Sequence, residues 1–308
     1  MIKLYLALMG MLLWASPMQV SATVKGGQGQ IMRTICVGHF QLDIPDDFEV
    51  VELGNKVRGV SVVRLGAGDF EALASIFFAR VNQLKEGRDE RDGIPLIYVE
   101  NRQIGDILML ATKPDLSSIG VVSDHWDEEA YVVSNGVMFR LEGYVFNDTV
   151  AADQQNILDV AGALFPRENS AIPKAIGACL PDAFVKLPAE NENFSASFMH
   201  SDQSPLGYQV YFDIRAPGGE RLDTNTDIVN DQAIPIEIAG MLGFEVRSKE
   251  RQLSFHALSG QSSGESAGGI QIIAQYFDQR PNYGSAPVSL EEAENLWVRV
   301  LSSIKVRQ

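Results

Sequence analysis

The chain has 308 residues, of which 45% are hydrophobic and 21% are charged. This length exceeds one ordinary domain and suits two, and the composition is globular rather than disordered or fibrous. With 40 acidic and 25 basic residues the formal charge is −15, which disfavours nucleic acid and anionic lipid as partners. Two cysteines and four histidines exclude a disulfide scaffold and a zinc site built from paired ligands, and we expect no cofactor.

The first 22 residues are expected to form a secretory signal peptide. Lys3 supplies the positive amino-terminal region, residues 4–16 are uncharged and mostly apolar, and Ala22 follows another small residue, as a signal peptidase requires. The apolar run is short for a bilayer span, and an uncleaved anchor is the alternative. Cleavage after about Ala22 would remove Lys3, give a charge of −16 and export a chain without stable membrane insertion.

The predicted elements of the first half are mostly strands. Residues 60–65 alternate as a strand, and Asp69 can cap a helix whose apolar positions run from Phe70 to Val81 at spacings of three and four. Further strands are predicted at 106–111, 130–133 and 137–146.

The second half shows the same order of strands first and a helix last. Strands are predicted at 208–214, 244–247, 253–258 and 270–277. Ser289 and Glu292 form a capping box at the start of an amphipathic helix. Many strands, few helices and no βαβ alternation predict an α+β fold, in which antiparallel sheets each carry one or two packed helices.

The two halves share landmarks at similar spacing. Cys36 and Cys179 each precede an alternating apolar stretch with a proline nine residues later, and the halves close at Arg167 and Arg307, 131 and 128 residues further on. This agreement predicts an internal duplication. The predicted division is a signal peptide at 1–22, an N-terminal α+β domain at 23–167, a linker at 168–177 and a C-terminal α+β domain at 178–308.

Two glycine motifs have simple structural interpretations. Residues 260–264 read Gly-x-Ser-x-Gly, but the last histidine is His256, so a hydrolase order of serine, acid and histidine is impossible. We interpret this segment as a hairpin loop. The Gly66 to Glu71 segment resembles a dinucleotide fingerprint, but acidic residues replace the groups that would accept pyrophosphate, so we predict a tight turn followed by a helix cap.

The segment from His125 to Glu129 concentrates polar chemistry in five residues. The simplest interpretation is an acidic, solvated turn before a strand. The alternative is a partner-binding patch formed by Trp126, Asp127, Glu128 and Glu129, because a tryptophan ringed by acids is typical of interface anchors. A metal site is the weakest interpretation, because the other histidines are isolated in the sequence.

Cys36 and Cys179 occupy equivalent positions in the two halves, and two interpretations are open. In an oxidising compartment the pair favours a disulfide between the halves. Duplication of a core position would instead favour two buried free thiols. We predict the disulfide.

Several segments resemble the bacterial immunity proteins that neutralise type VI secretion lipase effectors of the fourth class. The segments that carry the resemblance are 34–45, Cys179, 243–245, 289–297 and 301–307. The resemblance implies two α+β domains that clamp a secreted phospholipase in the periplasm and block lipid access to its active site, without catalysis by this chain. An inhibitor of this kind requires a large complementary surface rather than a reactive residue.

Two other function classes are compatible with the residues. One is a periplasmic hydrolase that uses dispersed carboxylates, since such pairs often come from distant segments. The other is an envelope-binding module with no toxin partner.

Overall fold

The computed structural model shows a mixed α+β protein with antiparallel sheets, as the sequence predicts. It describes residues 31–54, 56–91, 93–117, 120–121, 123–188, 194–200, 210–216, 234–247, 252–259, 270–277 and 290–307. The signal peptide at 1–22, the Gly-x-Ser-x-Gly segment at 260–264 and the cap at Ser289 lie outside the described residues.

The described residues form three helices and twenty strands. The helices are α1 (Phe70–Lys85), α2 (Val150–Gly162) and α3 (Leu290–Ser303). The strands are β1 (Met32–Val37), β2 (Phe40–Pro45), β3 (Phe48–Leu53), β4 (Lys56–Val57), β5 (Val60–Ala67), β6 (Glu90–Arg91), β7 (Ile94–Ile104), β8 (Ile107–Pro114), β9 (His125–Ser134), β10 (Val137–Phe146), β11 (Leu164–Pro166), β12 (Ala178–Leu180), β13 (Ala183–Val185), β14 (Phe194–His200), β15 (Val210–Ala216), β16 (Ile234–Ile238), β17 (Met241–Arg247), β18 (Gln252–Ser259), β19 (Ile270–Phe277) and β20 (Lys305–Val306).

The first large sheet has seven strands in the order β4-β5-β10-β9-β8-β7-β6, and every pair in it is antiparallel. It forms as a meander because most neighbouring strands are also consecutive in the chain. The apolar alternation of β10 places Phe139, Leu141 and Val145 on one face, where all three are fully buried. Such alternation is the mark of a strand whose face packs on a core.

One helix covers each face of this sheet. The Asp69 carboxylate caps α1 by accepting a hydrogen bond from the backbone amide of Ala72, as predicted. The apolar face of α1 packs with Leu108 and Leu110 in one core cluster. On the opposite face α2 packs closely over β10, since a Cβ on Gly143 would lie 3.0 Å from the Ile157 side chain.

The second large sheet also has seven strands, in the order β16-β17-β18-β19-β15-β14-β3. Its edge strand β3 comes from the beginning of the chain. The helix α3 buries Trp297 and Val300 completely, and both pack with Leu42 and Ile44 of the first hairpin. Residues 32–53 therefore help to build the core that α3 closes.

Two short hairpins are exchanged between the halves. The first, β1–β2, pairs with β20 at the end of the chain, and the second, β12–β13, pairs with β11 directly after α2. Their registers correspond, because Cys36 faces Gln41 while Cys179 faces Phe184. Each hairpin thus joins the strand that follows the closing helix of the other half.

Most predicted strands are found, and β10 and β19 have their predicted bounds. The strand predicted at 130–133 is longer, since β9 begins at His125. The sequence interpretation missed β7, β14 and the short strands of both hairpins. The duplication and the domain boundaries stay predictions, to which the structure adds the exchange of hairpins.

Candidate protein-binding surface

The segment from His125 to Glu129 forms the beginning of the central strand β9. The interpretation as a solvated acidic turn is wrong, because Asp127, Glu128 and Glu129 are buried, the last two almost completely. β9 has β8 and β10 as hydrogen-bonded neighbours. The helices α1 and α2 pack on the two faces of this sheet, so the buried acidic side chains of β9 need partners within the fold.

Glu129 lies on the face that α1 covers. Its carboxylate accepts hydrogen bonds from Arg80 at 2.9 Å and from the Tyr131 hydroxyl at 2.6 Å, and Arg80 also pairs with Asp89 at 2.6 Å. Burial and then the charge of Glu129 raise the pKa of Tyr131. Burial alone would lower the pKa of Arg80, but Glu129 and Asp89 outweigh it and raise that pKa. These groups form an interior ion-pair network.

Glu128 points to the opposite face of the same strand. One carboxylate oxygen accepts a hydrogen bond from Arg102 of β7, the other, Oε2, is buried, and Gln154 of α2 also lies close enough to the carboxylate to favour its charged form. Burial raises the pKa of Glu128, and the positive charge of Arg102 opposes this effect. The carboxylates of Glu128 and Glu129 are therefore buried and ion-paired within the fold and do not form a solvent-exposed acidic patch.

Trp126 differs from the three acids because it is partly exposed. Its indole packs at the border of the α2 core cluster, and the Lys113 ammonium lies 5.6 Å from the ring centroid. Of the predicted partner-binding residues, Trp126 alone keeps an exposed surface of note. A partner contact at this tryptophan stays a prediction.

An aromatic cluster lies on the other face at the same end of the sheet. His125 faces Phe146 across the two strands, and Tyr144 is two positions along β10 on the same face. The His125 ring lies 5.2 Å from the Tyr144 centroid and 5.4 Å from the Phe146 centroid. Tyr144 is 48% exposed and Phe146 is 41% exposed. We call His125, Tyr144 and Phe146 the aromatic cluster.

The sequence interpretation missed Tyr144 and Phe146. A signal was present, because both occupy positions of β10 that alternate with its buried residues. Large aromatic side chains at solvent-facing positions of a strand are enriched in protein interfaces. Single exposed hydrophobic residues are common on protein surfaces. Tyr144 and Phe146 differ from these because both contact the ring of His125.

Cys36 and Cys179 form a disulfide with a Cα–Cα distance of 5.7 Å, which links the two exchanged hairpins. Arg307 covers the bond, since its Nη1 lies 3.2 Å from each sulfur. The same guanidinium donates to the carbonyl oxygens of Pro173, Ala175 and Gly177. This buried arginine therefore fixes the predicted linker against the hairpins.

Arg167 plays the corresponding role in the other hairpin. Its backbone amide donates to the backbone carbonyl of Asp182, just as the amide of Arg307 donates to the backbone carbonyl of His39. The side chain of Arg167 donates to the carbonyls of Leu180 and Ala183. Burial lowers the pKa of both arginines, and the charge of Arg307 contributes to the lowering at Arg167.

Within the part of the chain that the structure describes, the remaining motifs give no reactive site. Gly66 and Ala67 end β5 and Asp69 caps α1, so this segment is the end of a strand joined directly to a capped helix rather than the predicted tight turn. A Cβ on Gly68 would lie 2.6 Å from the Met138 sulfur. Among the described residues, no group of three or more histidine, cysteine, aspartate or glutamate side chains could hold a metal ion. Within the same residues, no helix is long and apolar enough to cross a membrane.

Three solved structures share this fold over nearly the whole chain. A chain of the Tle4–Tli4 complex aligns with a TM-score of 0.67 and 18% identity, over 90% of this chain and 97% of that chain. The apo immunity protein TplEi of the type VI secretion system of Pseudomonas aeruginosa aligns with a TM-score of 0.64 and 20% identity, over 90% and 97%. TplEi in complex with the "L" peptide aligns with a TM-score of 0.63 and 17% identity, over 90% and 98%.

No protein-family model and no curated protein matches the sequence. The structural similarity is therefore the comparison that bears on this chain. It confirms, at the level of the fold, the resemblance to type VI secretion immunity proteins that the sequence predicts.

Proposed function

We propose that this chain is a periplasmic immunity protein that binds a type VI secretion phospholipase effector and blocks its access to lipid. The observation that carries the proposal is the shared fold over 90% of the chain with the type VI secretion immunity protein TplEi and with a chain of the Tle4–Tli4 complex. A fold can host several functions, so the surface must supply the rest of the argument.

The charges and the buried acids support inhibition by binding. The formal charge of −15 would accelerate capture of an effector with a basic face. The carboxylates of Glu128 and Glu129 are held by Arg102 and Arg80, so these two acids support no hydrolytic pair. We propose, in agreement with the sequence interpretation, that the chain is not an enzyme and that its two halves close on the effector as a clamp.

The periplasmic location is part of the same proposal. The signal sequence at 1–22 supplies the export, and an oxidising compartment allows the Cys36–Cys179 disulfide to persist. An effector that attacks phospholipids from the periplasm would be met there by an exported inhibitor.

Co-expression tests the proposal directly. A candidate type VI secretion phospholipase, chosen from the genes that neighbour this one, is directed to the periplasm of a sensitive host, with and without the full-length chain. We expect the chain to restore growth and to elute with the lipase on gel filtration, whereas a variant that lacks residues 2–22 should fail to protect. Unchanged toxicity together with the absence of a complex would refute the proposal.

A further inference from the structure

The geometry points to the aromatic cluster, His125, Tyr144 and Phe146, as an anchor that inserts into an apolar recess ringed by basic residues on the effector. This inference rests on the proposed function, and it assigns the contact to particular side chains. Tyrosine and tryptophan dominate the binding energy of many interfaces because they bury a large area with few rotatable bonds.

The cluster is held in place before any partner binds. Its three side chains lie on β9 and β10, which are hydrogen-bonded to each other along ten residue pairs. The His125 and Tyr144 rings meet edge to face with an interplanar angle of 88°. The Phe146 backbone amide donates to the Asp153 carboxylate at 3.0 Å, which fixes the end of the strand against α2. An anchor that is already ordered loses little entropy on binding.

The charges around the cluster identify the chemistry of the partner. The Asp124 carboxylate is hydrogen-bonded to His125 at 2.9 Å and its side chain is 82% exposed. Asp153 accepts from the backbone of Phe146, and Asp148 lies two residues after Phe146 at the surface. The basic residue beside these acids is Lys56, whose ammonium lies 6.0 Å from the Tyr144 centroid. The rim is net negative, so lysine and arginine on the effector would complement it.

The cluster also lies where the chain passes between the two large sheets. Leu53 ends β3, the edge strand of the second sheet, and Lys56 begins β4 in the first sheet. Gly54 between them donates to the Ser195 carbonyl, and a Cβ at Gly54 would lie 2.6 Å from the Ser195 amide nitrogen. Three residues span at most about 10 Å, so Lys56, whose ammonium lies beside the Tyr144 ring, is within that distance of the end of β3.

The test compares binding by matched alanine variants of the full mature chain. The variants are Tyr144→Ala, Phe146→Ala and the double variant, and the control is Ile104→Ala. Ile104 and Phe146 are both 41% exposed and both belong to the first sheet. Ile104 lies at the opposite end of the strands, roughly 20 Å away. Calorimetry measures the affinity for the candidate phospholipase used in the co-expression experiment, and thermal melting checks that each variant is folded.

We expect each cluster variant to weaken binding at least about tenfold, while Ile104→Ala changes it less than about threefold. Wild-type binding should also weaken as salt rises, because the rim acts electrostatically. If the wild type binds the lipase and the double variant binds equally well, the aromatic anchor is wrong and the proposed function stands. If the wild type binds no lipase, the proposed function fails and the anchor fails with it.

Two further measurements test whether the aromatic cluster binds a second copy of the chain or a membrane instead. Sedimentation, in the absence of the lipase, would overturn the inference if the wild type self-associates and the double variant does not. Flotation with phosphatidylglycerol-containing vesicles would overturn it if the wild type binds the vesicles and the double variant does not.

Discussion

The Nη1 atom of Arg307 lies 3.2 Å from the sulfur of Cys179, although 128 positions separate the two residues in the chain. Arg307 follows β20, and Cys179 belongs to the hairpin that pairs with β11. The contact joins the end of the chain to the middle of it, at the disulfide that links both exchanged hairpins. The disulfide and Arg307 each have a measurable effect on stability, and so do two further buried side chains, Glu128 and Trp297.

Loss of the disulfide should destabilise the protein strongly. The Cys36–Cys179 bond closes a loop across a sequence separation of 143 residues, and long loops restrict the unfolded chain most. The double Cys→Ser variant should lose about 2–5 kcal/mol of unfolding free energy in urea. Reductant should lower the wild-type midpoint comparably and should leave that of the double variant unchanged. An equal response of both proteins to reductant would contradict the prediction.

Arg307→Lys should be destabilising although it preserves the charge. The guanidinium donates to the carbonyls of Pro173, Ala175 and Gly177 at once, and a single ammonium cannot reproduce that planar fork. We expect a loss of about 1–3 kcal/mol, the cost of buried acceptors left without donors. The matched control is Lys305→Met, which alters an exposed neighbour two residues away. Equal unfolding midpoints for the two variants would argue against this role of the arginine.

Glu128→Gln should change how stability depends on pH. Burial raises the pKa of Glu128 in the folded protein above its unfolded value near 4.5. When folding raises the pKa of an acid, its protonated form contributes fully to the free energy of unfolding below the unfolded pKa. This contribution is lost as pH rises through the folded pKa. Glutamine has no such loss, so the variant should gain stability relative to the wild type between pH 4 and pH 7.

Urea unfolding of both proteins at these two pH values measures the difference. The variant also loses the charged contact to Arg102, which changes the stability difference between the two proteins at each pH. The direction in which that stability difference changes from pH 4 to pH 7 is set by the titration of Glu128. A difference that is identical at pH 4 and pH 7 would show that Glu128 does not titrate abnormally.

Trp297→Phe should destabilise the core that α3 closes. The indole nitrogen donates to Glu245 at 3.0 Å, and Trp297 is fully buried among residues of the first hairpin and the second sheet. Removing the donor and part of the ring should cost about 1–3 kcal/mol. A double-mutant cycle with Glu245→Met, which removes the acceptor at similar volume, separates the hydrogen bond from the packing. A coupling energy near zero would assign the whole loss to packing.

The local pattern of the sequence predicts several elements closely. β10 has the bounds that its alternation indicates, and Asp69 caps α1 where a short polar residue precedes an apolar periodicity. The strand β7 was missed because its apolar residues do not alternate with polar ones: Leu96 is buried, while Ile97 and Val99 are apolar and exposed. A register shift between Tyr98 and Glu100 follows.

The aromatic cluster could be predicted only in part. Tyr144 and Phe146 occupy exposed positions of a correctly predicted strand, so their exposure follows from alternation alone. Their contact with His125 requires the register of β9 against β10, which the sequence interpretation lacked because it began that strand at Ala130.

The sequence by itself determined the class of fold, the likeness between its two cysteine-bearing segments and the acidic charge of the protein, because these depend on local periodicity and composition. The tertiary structure decided which partner each cysteine hairpin takes, since β11 and β20 have only three and two residues and local chemistry does not choose between them. It also decided that Glu128 and Glu129 are interior, because the arginines that neutralise them come from β7 and α1. Pairing and charge compensation between distant segments are properties of the packed chain, and no single segment carries them.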